Sequence, residues 1–162
     1  MPRLVLLGAN GMFGRDAGPI FEAAGYEVVG ADLPEVDITS AGSLADLLDP
    51  HPASVVVNAA AFTDVDDAES SRELAFEVNG LGAHMVAEAC RQQDALLVQI
   101  SSDYVFPGEK PEGYLPRDPT GPAINAYGES KLAGEAGIRA AMPGGGFLIC
   151  RTQWLYGHGG KN

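Results

Sequence analysis

Basic residues are scarce. Ten lysines and arginines stand against 22 aspartates and glutamates in 162 residues, a formal net charge of −12. Nucleic-acid partners are held through their phosphates by clustered Lys and Arg. This balance therefore argues against such a partner. It leaves room for an anionic small ligand, which needs only a local set of donors. Cysteine is nearly absent too. Cys90 and Cys150 have no second cysteine at metal-ligand or redox spacing. Two reduced, largely buried thiols are expected, as suits a cytosolic protein. The three histidines, His51, His84 and His158, are scattered without zinc-ligand spacing, so no metal is expected. No apolar run approaches the roughly 20 residues of a membrane span. The apolar start, Met1 to Leu7, runs straight into a glycine turn without a small-residue cleavage site, unlike a signal peptide.

What is present is a hydrophobic pattern of alternating kind. Hydrophobic residues make up 46% of the chain and charged ones 20%, enough apolar surface for a core. The length suits a single domain, residues 1–162. Leu4–Leu7 is a short apolar run bounded by Gly8, as in a buried parallel strand. Phe13, Ala17, Ile20, Phe21 and Ala24 follow at helical spacing, ended by Gly25. Further strands are expected at Tyr26–Ala31, Ser54–Val57, Leu96–Ile100 and Phe147–Arg151. Helices are expected at Ser43–Leu48, at 126–141, and along one long stretch whose apolar face is Leu74, Val78, Leu81 and Met85, reaching about Gln92. Residues 106–124 hold five of the eleven prolines and three glycines and read as a surface loop. The acidic run Asp64, Asp66, Asp67 and Glu69 reads as a solvated helix start. Gly157–Asn162 is aperiodic. Strands alternating with helices imply βαβ units and an α/β fold, a doubly wound parallel sheet in three αβα layers, Rossmann-like, with ligands at the carboxyl ends of the strands.

Gly8-Ala9-Asn10-Gly11-Met12-Phe13-Gly14 joins the first strand to the first helix. Glycines there permit a tight turn and close approach of a pyrophosphate, and the helix N-terminus offers free N–H groups to an anion. Asp32 lies just past the second strand, eighteen residues beyond Gly14. An acid at that place can bond ribose hydroxyls and favour NAD, or it can be a plain loop residue ahead of Pro34. Arg15 could meet a 2′-phosphate instead, so the choice between NAD and NADP stays open.

Tyr127 and Lys131 stand at i and i+4, on one face of the expected helix. A phenol near pKa ~10 exchanges protons poorly at neutral pH, and a neighbouring ammonium lowers that value. The pair is therefore expected to be an acid/base device. Ser101 and Ser102 follow the fourth strand. A hydroxyl there can align a carbonyl with the tyrosine, or it can merely cap a turn.

Several strings resemble one family. The order Gly-x-x-Gly-x-x-Gly, Asn58-Ala59-Ala60-Ala61, Ser-Ser-Asp, Tyr-x-x-x-Lys is similar to that of extended short-chain dehydrogenases/reductases. Val57 to Asp66, Ser101 to Phe106, Tyr127 to Glu135 and Arg151 to Gly157 resemble one branch, the dTDP-4-dehydrorhamnose reductases. The resemblance implies NADPH or NADH as cofactor, and hydride transfer to the 4-keto group of a dTDP-4-dehydro-6-deoxy sugar, a step toward rhamnose for surface polysaccharide. It implies Ser102, Tyr127 and Lys131 as catalytic residues, Ser102 standing where the family usually has threonine. Cofactor contacts would come from Gly8, Asn10, Gly11, Met12, Phe13, Gly14, Asp32, Asp37, Ile38, Ala59, Ala60, Ala61 and Asn79, with Tyr127 and Lys131. Asn79 resembles the helix asparagine that supports the active-site backbone. Asp103, Tyr104 and Trp154 would meet the sugar, although Trp154 could instead be a core aromatic. Tyr104 replaces the glutamate usual in sugar 4,6-dehydratases, so elimination is not expected.

The family's chains are longer, and their carboxyl-terminal part builds most of the sugar pocket. A truncated chain is the expectation, one that binds cofactor but turns over the sugar weakly by itself. Two other roles stay in view. One is a non-catalytic regulatory module, like the regulatory subunit of methionine adenosyltransferase that resembles the same branch. The other is a nucleotide-sugar epimerase. A nucleotide-sugar partner follows from the resemblance, a membrane or nucleic-acid partner does not, and a homodimer stays open.

Overall fold

In a computed structural model, residues 1–158 and 160 are described. Five parallel strands form one sheet, β1 (Arg3–Leu7), β2 (Glu27–Ala31), β3 (Val55–Asn58), β4 (Leu96–Ser102) and β5 (Phe147–Thr152). Their order is β2-β1-β3-β4-β5, every neighbouring pair parallel. The doubly wound α/β fold is thus as expected. The chain leaves β1 toward β2 on one side and returns to β3 on the other. The switch point therefore lies between the carboxyl ends of β1 and β3, where such sheets bind ligands.

The inner strands β1 and β3 are apolar because both of their faces are covered. Val5, Leu7, Val56 and Leu97 pack with Leu44 and Leu48 of α2 (Ala41–Leu48), with Val86, Ala87 and Cys90 of α5 (Ala83–Gln92), and with Ile138 of α6 (Ala126–Ala141). Leu4, Leu6 and Val57 meet Phe13 and Phe21 of α1 (Met12–Ala23) on the opposite face. Each fully buried Leu or Val of this set contributes roughly 1.5–3 kcal/mol. Ile20, read as part of the inner stripe of α1, is 66% exposed. Cys90 is buried as expected, but Cys150 is exposed. It lies on β5 beside exposed Leu148, at the sheet edge. Among the described residues no helix is long and apolar enough to cross a membrane.

The single long helix expected before Gln92 is several pieces. Short α3 (Asp67–Ser70) and α4 (Arg72–Phe76) lead into a π-helical turn, Glu77–Gly82, which continues as α5. A π turn inserts an extra residue and shifts the phase of the apolar face. Leu74 and Leu81 are accordingly exposed, and Ala75, Asn79, Gly82, Ala83, Val86 and Cys90 face inward instead. Small residues serve here because α6 comes very close: a Cβ on Gly134 would run into the Asn79 carbonyl. The acidic run is only partly solvent decoration, since Glu69 accepts from Ala126 N at 2.8 Å and Asp64 from Asp67 N at 2.9 Å. Within the aperiodic stretch 157–162, residues 159, 161 and 162 lie outside the described residues.

Candidate active site

A cleft runs across the carboxyl ends of β1 to β5, as the fold requires. At its β1 end, Gly8 has φ +78, and a Cβ there would stand 2.7 Å from Ala60 N. Only glycine lets this turn press against the end of β3. Gly14 is buried beneath the turn, where a Cβ would strike the backbone of Ala9. Gly11 differs. Its φ of −70 suits any residue, and it is exposed on the cleft. Its missing side chain leaves the α1 N-terminus open.

That terminus has no side-chain cap. By contrast α2 is capped by Ser40, which accepts from Ser43 N, and α6 by Asn125, which accepts from Gly128 N at 2.8 Å. An uncapped helix start, facing a cleft across a bare glycine, suits an anion such as a pyrophosphate. Asn10, Met12, Phe13 and Arg15 line the same rim. Asp32 accepts from Asn10 N at 3.0 Å and from Leu33 N at 2.9 Å, so it braces the turn while still facing the cleft.

Further along, Asp37 and Ile38 form one wall. Asp37 accepts from both the N–H and the hydroxyl of Thr39, which lowers its carboxyl below the ordinary value. Ala59, Ala60 and Ala61 line the floor at the switch point. Two buried asparagines hold that segment. Asn58 accepts from Ala60 N at 3.2 Å and donates to Gln99 at 2.9 Å. Asn79 accepts from Phe62 N at 2.9 Å and donates to Phe62 O at 3.0 Å and to Ser130 Oγ at 2.9 Å. Asn79 is buried behind the cleft lining and holds its backbone, so the cofactor contact expected of it is not part of the cleft wall.

Ser102, Asp103, Tyr104, Tyr127 and Lys131 come together at the end of β4. Ser102 caps a 3-10 turn, Asp103–Val105, accepting from Tyr104 N at 3.2 Å and donating to Asp103 at 3.2 Å. The capping role and the cleft-facing role therefore coexist in one residue. Tyr127 meets Tyr104 edge to face, with ring centroids 5.8 Å apart. Lys131 is 6% exposed and donates from Nζ to Ile100 O at 2.8 Å. Burial lowers its ammonium to about 8, with the Glu135 charge opposing.

The expected lowering of Tyr127 by Lys131 is absent from this geometry. Burial pushes the phenol above its ordinary value, hydrogen bonding from Ser102 pulls it back, and the Asp103 charge adds to the rise. The lysine amine is turned to the strand carbonyl instead. Trp154 lines the cleft mouth, 87% exposed and at φ +49, so it is no core aromatic. Sequence reasoning left Asn58, Gln99, Ser130 and Glu135 out of the candidate set, although Asn58, Ser130 and Glu135 sat inside the strings it quoted. Among the described residues no group of His, Cys, Asp and Glu could hold a metal ion.

The family model described as RmlD substrate binding domain matches residues 2–162. A dTDP-4-dehydrorhamnose reductase of Streptomyces griseus is 43% identical over 99% of this chain, which covers 52% of that protein. A dTDP-4-keto-6-deoxy-D-glucose reductase of Streptomyces niveus is 39% identical over 99% of this chain and 55% of its own length. The chain thus spans about half the length of the curated relatives it matches. The crystal structure of dTDP-4-dehydrorhamnose reductase from Bacillus anthracis in complex with NADP superposes with a TM-score of 0.94 at 36% identity, over 100% of this chain and 57% of that one. The chain belongs to the RmlD substrate binding domain family, with dTDP-4-dehydrorhamnose reductases among its matched relatives.

Proposed function

We propose that residues 1–162 form the NAD(P)H-binding half of a reductase that converts the 4-keto group of a dTDP-4-dehydro-6-deoxy sugar to an alcohol, in a cytosolic setting where both thiols stay reduced. One observation carries this reading. The uncapped start of α1 and the Ser102–Tyr127–Lys131 group open onto the same cleft, one at each side of the switch point. The relatives' names and the NADP complex of the Bacillus anthracis protein support it.

When bound, NAD(P)H supplies the hydride. The chain does the rest. The N–H groups of Met12 and Phe13, with the positive end of α1, hold a pyrophosphate. Ala59, Ala60 and Ala61 present little bulk, so a flat ligand can lie against the end of β3. Asp37 and Ile38 flank the adenine side. Ser102 offers its hydroxyl to the substrate carbonyl oxygen, and Tyr127 donates its proton to that oxygen as negative charge develops there. A phenol raised by burial is fully protonated at neutral pH, which is the form an acid needs. Lys131, cationic at neutral pH, binds ribose hydroxyls and steadies the phenolate left behind. Asp103, Tyr104 and Trp154 face the sugar. The remaining half of the relatives' length would supply the rest of the sugar surface, so this chain by itself is expected to bind cofactor and to turn over the sugar slowly.

The test is titration with NADPH and NADH, read by cofactor emission and by energy transfer from Trp154, the single tryptophan. Saturable binding that weakens at least tenfold in Gly11→Leu, about 1.4 kcal/mol, supports the reading. Absence of binding by the wild-type chain overturns it. The preferred cofactor reports whether Asp32 or Arg15 governs the ribose end.

A further inference from the structure

We infer that the buried Glu135–Arg151 ion pair is a positioning device for Lys131, and through it for the whole Ser102–Tyr127–Lys131 group. The role in reduction rests on the reading above, but the geometry is independent of it.

Glu135 is one helical turn beyond Lys131 on α6, with 2% of its surface exposed. A carboxylate so placed must be paired. Arg151 of β5 grips it with two bonds, Nε to Oε1 at 2.8 Å and Nη2 to Oε2 at 2.6 Å. Ser101 donates to Oε1 at 2.8 Å, and Arg139 approaches Oε2 at 3.5 Å. Bidentate pairing of this kind fixes direction as well as distance. Burial raises the Glu135 carboxyl, but the bonds from Arg151 and Ser101 outweigh it, and the group stays below its ordinary value.

The consequence lies in where these bonds fall. Ser101 precedes Ser102, and Ile100, the partner of Lys131 Nζ, precedes Ser101. Helix α6 is therefore clasped to β4 at two consecutive strand residues, once by Lys131 on Ile100 O and once by Glu135 on Ser101 Oγ. The clasp sets the height of α6 on the strand. Tyr127, one turn before Lys131, is thereby held beside Ser102. Arg151 extends the hold to the substrate side. Its guanidinium lies 5.0 Å over the Phe106 ring, and Nη1 reaches Pro116 O at 3.4 Å, in the loop 107–124. Thr152 ties β5 to Ser101 O at 3.1 Å.

Glu135 is also the anion facing the Lys131 ammonium. On α6 the titratable residue one turn earlier is Tyr127, and from β4 Lys131 meets the uncharged Ile100 O. Asp103 and Tyr104 stand at the phenol. Arg151 and Arg139 are engaged on Glu135 itself. On the helices packed against α6, Arg72 pairs with Glu129 and His84 bonds Gly137 O. Burying a cation without Glu135 would press Lys131 further toward the neutral amine.

The test reads Lys131 directly. The chain has three lysines, Lys110, Lys131 and Lys161, so carbon-13 lysine labelling resolves each titration by NMR, with Lys131→Met identifying the signal. In Glu135→Gln the Lys131 midpoint is expected to fall below its value of about 8. In Arg151→Met, which leaves Glu135 charged and free of its strongest partner, the midpoint is expected to rise. NADPH affinity should fall about tenfold or more in Glu135→Gln. A pair that only stabilises the fold would lower the melting temperature in both variants and leave the midpoint in place. Unchanged midpoints, or shifts of the same sign, overturn the inference. Should one variant fail to fold, Ser101→Ala takes its place: it removes the strand side of the clasp and is expected to weaken NADPH binding, and wild-type affinity there overturns the inference. If the wild-type chain does not bind NADPH, the reductase reading fails while the lysine titration still decides the positioning.

Discussion

Asn79→Ala removes a side chain with no exposed role and three bonds. Its amide accepts from Phe62 N and donates to Phe62 O and Ser130 Oγ, all at 2.9 to 3.0 Å. A net hydrogen bond contributes about 1 kcal/mol, and a buried group left unpaired costs about 1–3 kcal/mol. Ser130 keeps a second partner, Tyr127 O at 2.7 Å. Phe62 loses both of its partners but is only half-buried, so water recovers part of the loss. The expected destabilisation is about 3 kcal/mol. For a chain of this size that lowers the melting temperature by roughly 6–12 °C. Because Phe62 directly follows the Ala59–Ala61 floor, the looser backbone should weaken NADPH binding as well. Urea unfolding followed by circular dichroism gives the stability, and the cofactor titration gives the affinity. Asn79→Asp retains the acceptor, loses both donors and adds a buried charge, so it should be no better tolerated than alanine. A loss below about 1 kcal/mol in Asn79→Ala would refute the claim that this side chain holds the loop to α6.

Gly8→Ala, at φ +78 with its Cβ forced against Ala60 N, should lose more in urea unfolding than Gly25→Ala, which at φ +92 with open space around it pays only the left-handed backbone cost of about 1–2 kcal/mol. Lys131 ionises at about 8 in the fold against its ordinary 10.5, so the unfolded chain binds more protons between those values. Stability should therefore rise with pH across that window, by on the order of 3 kcal/mol, and Lys131→Met should flatten the rise. Glu135 has a linkage of the same sign, in the acid range. Its carboxyl lies below the ordinary 4.5, so its contribution is present above that pH and lost as pH falls through the lowered value; Glu135→Gln should remove that acid limb. A thiol reagent at neutral pH should modify exposed Cys150 promptly and spare Cys90, whose thiol burial pushes up to about 12; two fast-reacting thiols in the native protein would contradict the core packing.

The fold was legible because parallel strands buried on both faces leave short apolar runs, and glycines and prolines punctuate them. The turn at Gly8 and the pair Tyr127–Lys131 were legible because local spacing places them. What escaped was whatever depends on partners far apart in the chain. Asn79 finds Phe62 and Ser130, Glu135 finds Ser101 and Arg151, and Glu69 finds the start of α6 only after the sheet has assembled. Hydrophobic periodicity carries no trace of these bonds. The π turn at Glu77–Gly82 misled the periodic reading outright, because its extra residue turned Leu74 and Leu81 outward and gave the inner face to small side chains. Four-residue spacing brought Lys131 near Tyr127, yet it could not foresee that the amine would choose the Ile100 carbonyl. Cys150 was misplaced because β5 is an edge strand, with one face left open to solvent.

The central claim is that one cleft holds a dinucleotide with its pyrophosphate on the start of α1 and its reactive ring at Tyr127. A crystal structure of this chain grown with NADPH tests it most directly. The expected result has the pyrophosphate within hydrogen-bond reach of Met12 and Phe13 N–H and the nicotinamide beside Tyr127, with the adjoining ribose on Lys131. A cofactor found reversed, or seated away from the glycine turn, would contradict the account.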